Sequence, residues 1–262
     1  MTDTILLAEK LRKEFGGLVA VADVSLNVAR GSIHSIIGPN GAGKTTLFNM
    51  LSGKHTPTAG RVAFNGKDIT SLPPYKRARL GMGRSYQITN IFPNLTVTEN
   101  VRLAAQRNGN VWSGFLRRKE AFPKYYERVA AILETVGLAG EAETVANSLP
   151  HGGKRKLELA IMLATEPNLL LLDEPTAGMA SEQVPELIDT IQKVRADGDR
   201  TVVLVEHNMS VVMGISDRIT VMNYGAVIAE GTPTEISNDE TVQSVYLGGL
   251  YDSLDAMGAA HE

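Results

Sequence analysis

Residues 38–46, Gly-Pro-Asn-Gly-Ala-Gly-Lys-Thr-Thr, constrain what this chain can fold into more than any other stretch. They satisfy the spacing G-x-x-x-x-G-K-[ST], with Gly38, Gly43, Lys44 and Thr45 in the required places. The apolar run Ser32–Ile37 before them predicts a strand, and Thr46–Leu51 after them predicts the first turns of a helix. Strand, glycine-rich loop and helix in that order gather consecutive backbone N–H groups and a helix N-terminus around one point, which suits a polyphosphate. The glycines are required because the loop visits φ > 0 and its backbone must come close to an anion. Pro39, Asn40, Gly41, Ala42 and Thr46 complete the cradle, Lys44 brings a point charge to the β/γ-phosphates, and the Thr45 hydroxyl suits Mg²⁺. Without Lys-Thr at the helix start the same stretch would be an ordinary glycine-rich turn from strand to helix.

Composition narrows the classes. At 262 residues the chain is long enough for one large domain or two small ones, and its 43% hydrophobic and 21% charged residues are those of a globular protein. A net charge of −3 gives no electrostatic case for binding nucleic acid. The absence of cysteine excludes disulfides, thiolate metal sites and cysteine nucleophiles, and fits a reducing compartment. The start, Met1-Thr-Asp-Thr, lacks the basic and apolar character of a signal peptide, and no apolar run nears the roughly 18 residues that cross a bilayer. The expectation is a protein that is soluble or held at a membrane by a partner.

Short β-type segments are expected at Ile5–Ala8, Val19–Val28, Ser32–Ile37 and Gly60–Phe64, with Gly16-Gly17 and Gly31 as turns. Helical periodicity follows at Val101–Gln106, Lys124–Val136 and Arg155–Ala164, with Val129, Ile132 and Val136 on one face. A dense apolar strand, Leu169–Leu172, precedes a helix at Gln183–Arg195, a strand at Thr201–Val205, a helix at Met209–Ile215 and β-type pieces at Arg218–Met222 and Ala226–Ala229. Alternating strands and helices with continuously apolar strands argue for an α/β fold with a mostly parallel, buried sheet. No internal repeat is found, and Met257–Glu262 reads as a frayed tail.

Asp173-Glu174-Pro175 closes that apolar strand. A carboxylate at the carboxyl end of a strand lies where open α/β sheets bind ligands. Asp173 suits Mg²⁺, directly or through water, and Glu174 beside it suits the acceptance of a proton from an attacking water.

With these two motifs the sequence resembles the ATP-binding subunits of ABC transporters over nearly all of its length, and the other motifs of that family appear in its order. Glu14-Phe15-Gly16 resembles the aromatic that stacks on adenine, although Phe15 also reads as a core residue. Gly83-Arg-Ser-Tyr-Gln87 resembles the Gln loop, whose Gln87 would contact Mg²⁺ or the attacking water. Val205-Glu206-His207 resembles the switch histidine, which would contact the γ-phosphate. Leu149-Pro150-His151-Gly152-Gly153 stands where the family has its signature peptide, and departs from it. Pro150 replaces the serine that contacts γ-phosphate, and Gly153 replaces a glutamine. Met179-Ala180 likewise stands where a polar residue is usual.

The resemblance implies a P-loop ATPase fold: a mostly parallel core sheet, an N-terminal antiparallel β subdomain and a helical subdomain. Residues 1–262 would form one nucleotide-binding domain, with 1–87 and 161–262 as the core and 88–160 as the helical subdomain carrying the signature. It implies ATP and Mg²⁺ as ligands and Lys44, Gln87, Glu174 and His207 as catalytic residues. Thr45, Gln87 and Asp173 would be metal ligands, and 149–153 would serve the ATP of a second subunit across a dimer.

Three stretches narrow the resemblance to the larger ATPase of branched-chain amino acid importers. They are Tyr224–Pro233 with Val245–Gly249, then Val212–Ile219, and the insertion 107–127 with Trp112, Phe115, Arg117-Arg118-Lys119 and Tyr125-Tyr126. This implies two transmembrane permeases, a second ABC ATPase, an indirectly coupled periplasmic substrate-binding protein, no nucleic acid, and a peripheral place on the cytoplasmic face of the inner membrane. Two alternatives stay open here, the ATPases of lipopolysaccharide export and of urea or amide import. The basic cluster of the insertion is either a solvated loop or a contact with lipid head groups. Trp112 and Phe115 are either a local core or a permease contact. A GTPase is disfavoured because Asn65-Gly-Lys-Asp68 has the wrong order for a guanine motif.

Overall fold

A computed structural model describes residues 3–85, 91–106, 123–196 and 200–246. The chain divides into two compact units, one formed up to Arg77 and again from Thr201, the other by Ala78–Arg200.

The first unit contains two sheets. In one, β1 (Thr4–Phe15) pairs antiparallel with β2 (Leu18–Ala29) and with β4 (Ala59–Phe64), which pairs with the short β5 (Lys67–Asp68). Leu6, Ala8 and Leu11 of β1 and Val24, Leu26 and Val28 of β2 are buried with Val62 and Phe64, while the residues between them are more open. That alternation is what a sheet with one covered face requires. β1 runs past the expected Ile5–Ala8 through Lys10, Arg12, Lys13 and Glu14, whose polarity hid the strand. Register shifts there accompany a left-handed backbone at Lys10 (φ 46) and, on β2, at Asp23 (φ 53).

In the other sheet β3 (Ile33–Ile37) runs parallel to β8 (Thr201–Val205) and to β9 (Arg218–Asn223), and β10 (Ala226–Gly231) closes antiparallel onto β9. All five residues of β3 and of β8 are buried, so both faces are covered, and an unbroken apolar run serves there. The polar exceptions make side-chain bonds, although buried His34 Nδ1 has no hydrogen-bond partner among the described residues. His34 Nε2 lies 2.8 Å from Thr220 Oγ1, and Ser35 Oγ 2.6 Å from Ser216 Oγ. α1 (Lys44–Leu51) follows the glycine-rich loop and buries Leu47, Phe48, Met50 and Leu51. Beyond it, α2 (Pro74–Arg79) was not expected from the sequence; only its Arg77 is buried. That guanidinium donates to the carbonyls of Met50 (2.8 Å) and Leu51 (2.7 Å) at the C-terminus of α1, and to those of Leu72 (2.9 Å) and Thr70 (3.0 Å). Its charge thus meets the negative end of the helix dipole, and burial lowers its pKa to about 10. Further along, α7 (Met209–Ile215) and α8 (Pro233–Ser237) lead to a helical stretch over residues 240–246. This stretch sets Val242 and Tyr246 against Ile37 and Val212.

The second unit holds β6 (Met82–Arg84) parallel to β7 (Leu169–Asp173), with helices α3 (Val97–Ala105), α4 (Pro123–Thr135), α5 (His151–Leu163) and α6 (Val184–Ala196). Helix α3 packs on α4 and α5, through Val97, Val101, Val129, Leu133, Leu157 and Ala160. Its N-cap, Thr96, accepts from Glu99 N at 3.2 Å. Helix α5 begins four residues before the expected Arg155, because Gly152 and Gly153, poor helix formers, sit inside its first turn.

Candidate phosphate site and its companions

Three positive φ values build the loop after β3: 150° at Gly38, 81° at Gly41 and 95° at Gly43. Two of these glycines are also forced by space. A Cβ on Gly38 would stand 2.1 Å from the Met222 carbonyl oxygen, and one on Gly43 2.5 Å from that of Ala20. The loop is held to the unit by Gly225 N–H donating to Ala42 O (3.0 Å) and Ala22 N–H to Gly225 O (2.8 Å). Gly43 is the N-cap of α1 and supplies no side-chain cap bond to the N–H groups of the first turn. Pro39 is half-buried, Asn40 and Gly41 are exposed, and Ala42 is buried. Lys44 is buried and folds over its own loop, its Nζ donating to Gly38 O (2.6 Å) and Pro39 O (2.9 Å). Thr45 is exposed and Thr46 half-buried at the helix start.

Phe15, at the end of β1 in the same unit, is 45% exposed. Its ring meets His55 edge-on at 5.5 Å, and Lys13 Nζ lies 5.1 Å from its centroid. Of the two readings of this residue, the core one is corrected, since a surface strand end leaves the ring open. His207 lies beyond β8 with its side chain exposed. The turn that delivers it is made by the buried carboxylate of Glu206, whose Oε2 accepts from His207 N (3.1 Å) and Asn208 N (3.4 Å). Asn208 then caps α7 through Oδ1, accepting from Ser210 N (3.1 Å) and Val211 N (3.4 Å). Glu206 is a shaping residue that sequence reading passed over, because a carboxylate before a histidine has no spacing signature.

In the second unit Asp173 ends β7 and is buried. Its N–H donates to Ser85 Oγ at 2.9 Å, and Ser85 N–H donates to Leu171 O at 2.9 Å. Ser85 therefore pins the strand end that presents Asp173, another role the sequence did not signal. Glu174 is half-buried with φ 46, a left-handed backbone that costs a non-glycine residue of order 1 kcal/mol and is found where a side chain must be aimed. The peptide 149–153 lies at the start of α5. Leu149 is buried, exposed Pro150 is the N-cap and makes no side-chain cap bond, and His151 opens the helix. A Cβ on Gly178 would lie 3.3 Å from His151 Cε1, so the imidazole borders the loop after Glu174. Gly152 is crowded by Gln183, at 2.9 Å from a Cβ, whereas Gly153 has only ordinary contacts at 3.4 Å. Gln87 and the insertion residues Trp112, Phe115 and Arg117–Lys119 lie outside the described residues.

The Thr45 hydroxyl of the first unit and the Asp173 carboxylate of the second, both expected metal ligands, are hard oxygens. Among the described residues no group of three His, Cys, Asp or Glu could hold a metal ion. Each oxygen is the donor type that suits Mg²⁺, which is usually bound by one or two protein oxygens plus phosphate and water.

The family model "ABC transporter" matches residues 21–177, and "Branched-chain amino acid ATP-binding cassette transporter" matches 226–252. The high-affinity branched-chain amino acid transport ATP-binding protein LivG of Salmonella typhimurium is 41% identical over 253 residues, covering 95% of this chain and 99% of LivG. BraF of Pseudomonas aeruginosa, described in the same words, is 41% identical over 255 residues, covering 95% and 99%. Among solved structures, the ADP conformation of MJ1267, an ATP-binding cassette of an ABC transporter, superposes with a TM-score of 0.83 at 30% identity, covering 94% of this chain and all of that one.

Proposed function

Because the chain belongs to the ABC transporter family of ATP-binding subunits, we propose that it is the larger of two ATPases powering the import of branched-chain amino acids across the inner membrane, from its cytoplasmic face. The observation that carries the substrate class is the match of residues 226–252 to the branched-chain model, together with 41% identity to LivG over 95% of the chain. No helix among the described residues is long and apolar enough to cross a membrane. The proposed partners are two permeases, which form the transport path, and, at a distance, a periplasmic binding protein.

The residues divide the work by chemistry. Backbone N–H groups of 41–46 and the positive end of α1 bind the phosphates, and Lys44 exchanges the Gly38 and Pro39 carbonyls for β/γ-phosphate oxygens. Phe15, already exposed, stacks on adenine. Thr45, Asp173 and Gln87 hold Mg²⁺, which when bound neutralises charge developing on the transferred phosphoryl group. Glu174 takes the proton of the attacking water, and His207 orients on the γ-phosphate. The peptide 149–153 serves the nucleotide of a second ATPase subunit, so that ATP closes a dimer and hydrolysis opens it. In this reading 88–160 is the helical subdomain and 1–87 with 161–262 the core. The substitutions Pro150 and Gly153 make this subunit the weaker donor of a signature to its partner.

Affinity purification of the chain from its native membranes in mild detergent, with mass spectrometry of what accompanies it, tests the assignment. Two unlike permeases and a second, shorter ATPase are the expected companions. Recovery with lipopolysaccharide-export membrane proteins would overturn the substrate class.

A further inference from the structure

Beneath Asp173 the second unit contains a cavity with about 30 Å³ open to the centres of water molecules. Its wall is mostly apolar, with Leu187 and Ile191 of α6 among its members, and takes its polar groups from Ser85, Asp173 and from Arg155 and Glu158 of α5. Arg155 and Glu158 form a largely buried ion pair one helical turn apart, Nη1 to Oε2 at 2.9 Å. Arg155 Nε and Glu158 Oε1 are buried and have no hydrogen-bond partner among the described residues. A donor and an acceptor, both buried and both unmatched, belong to residues lining one largely apolar cavity with room for about two waters. Native interiors match such groups through ordered water. On the far wall, Ser85 Oγ already accepts from Asp173 N–H and keeps its own proton to donate.

We infer that this cavity holds ordered water joining Arg155 and Glu158 to Ser85 and, through the Ser85–Asp173 N–H bond, to the strand end that presents Asp173, which makes Arg155 and Glu158 positioning residues for Asp173. One water accepts from Arg155 Nε–H and donates to Glu158 Oε1, and its neighbour accepts from Ser85 Oγ–H. The ion pair sits in the first two turns of the helix whose N-terminus is the peptide 149–153. The same waters therefore tie that peptide to Asp173. A shift of α5 when a second subunit's nucleotide docks would be felt at this chain's own carboxylate. The inference rests on reading Asp173 as a metal ligand.

The test is Mn²⁺ binding, followed by electron paramagnetic resonance, to the full chain loaded with a non-hydrolysable ATP analogue, with thermal unfolding in parallel. Three variants are compared with the wild type: Glu158→Gln, the double variant Arg155→Met with Glu158→Met, and Asp173→Asn. The double variant leaves no buried charge behind, and apolar replacements of a buried pair are often well tolerated, so it reads the site even where the single one folds poorly. The expected result is Mn²⁺ binding weakened by about tenfold in the double variant, as for loss of support behind a metal ligand, with metal-free affinity for the analogue unchanged. Unchanged Mn²⁺ affinity in the folded double variant, with Asp173→Asn weakened, overturns the inference alone. Unchanged affinity in Asp173→Asn overturns the ligand reading and the inference with it.

Discussion

Single residues in this chain show their purpose by what they tolerate. Glu174 holds a left-handed backbone that glycine would adopt freely. Glu174→Gln keeps the shape and removes the proposed base. Turnover should fall at least about a hundredfold while MgATP binding persists, and steady-state phosphate release set beside nucleotide binding checks this. Wild-type turnover in the variant would remove Glu174 from its role. His34 makes a different prediction. Burial, with a smaller contribution from Arg218, lowers its pKa to about 4 from 6.5. Between those values the unfolded chain takes up a proton that the folded one refuses. Stability is therefore fully present above pH 6.5 and declines as pH falls toward 4, by about 3 kcal/mol in all. Urea unfolding at pH 7 and pH 4.5 measures the loss, and His34→Gln should flatten it across that window.

Elements carry the next level of design, and α5 is built below its attainable stability. Pro150 occupies its N-cap without offering a cap oxygen, and Gly153 spends backbone entropy in its first turn. The space for a side chain at Gly153 is ordinary, and its φ is not left-handed. Pro150→Ser with Gly153→Gln should therefore fold normally and gain about 1 kcal/mol, the worth of a cap bond and a better helix former, read from chemical denaturation. A loss of stability would mean that Pro150 fixes the entry of α5 more than it weakens its cap. Element α1 shows the complementary case, finished at its far end by Arg77. Nothing in Pro74-Tyr-Lys-Arg-Ala-Arg79 separates Arg77 from its basic neighbours. Four carbonyls around one guanidinium are a property of the folded chain.

For the molecule as a whole the decisive event in the proposed function is association. Each subunit supplies one half of two ATP sites in the proposed reading, so nucleotide acts as the adhesive and its hydrolysis as the release. Glu174→Gln with MgATP should raise the apparent mass to that of an assembly of two ATPase subunits in size-exclusion chromatography with light scattering, provided the second ATPase is present. The wild type under the same conditions should cycle back to single subunits. Failure of the variant to associate with its partner ATPase would count against a shared site.

The sequence alone determined the loop 38–46 and the strand end 169–174, because their chemistry is written in contiguous residues with fixed spacing. It likewise determined strands such as Thr201–Val205, which burial on both faces makes continuously apolar. Polar strand residues such as Lys10–Glu14 stayed hidden, since one face of β1 is open and its bulges break the alternation. Only the tertiary structure decided that Phe15 is exposed, that Glu206 turns the chain at His207, and that Ser85 holds Asp173. It alone brought Arg155 and Glu158 to a cavity beneath the same carboxylate. Those facts depend on contacts between residues far apart in the chain or on burial of a charge, and neither leaves a local pattern to read.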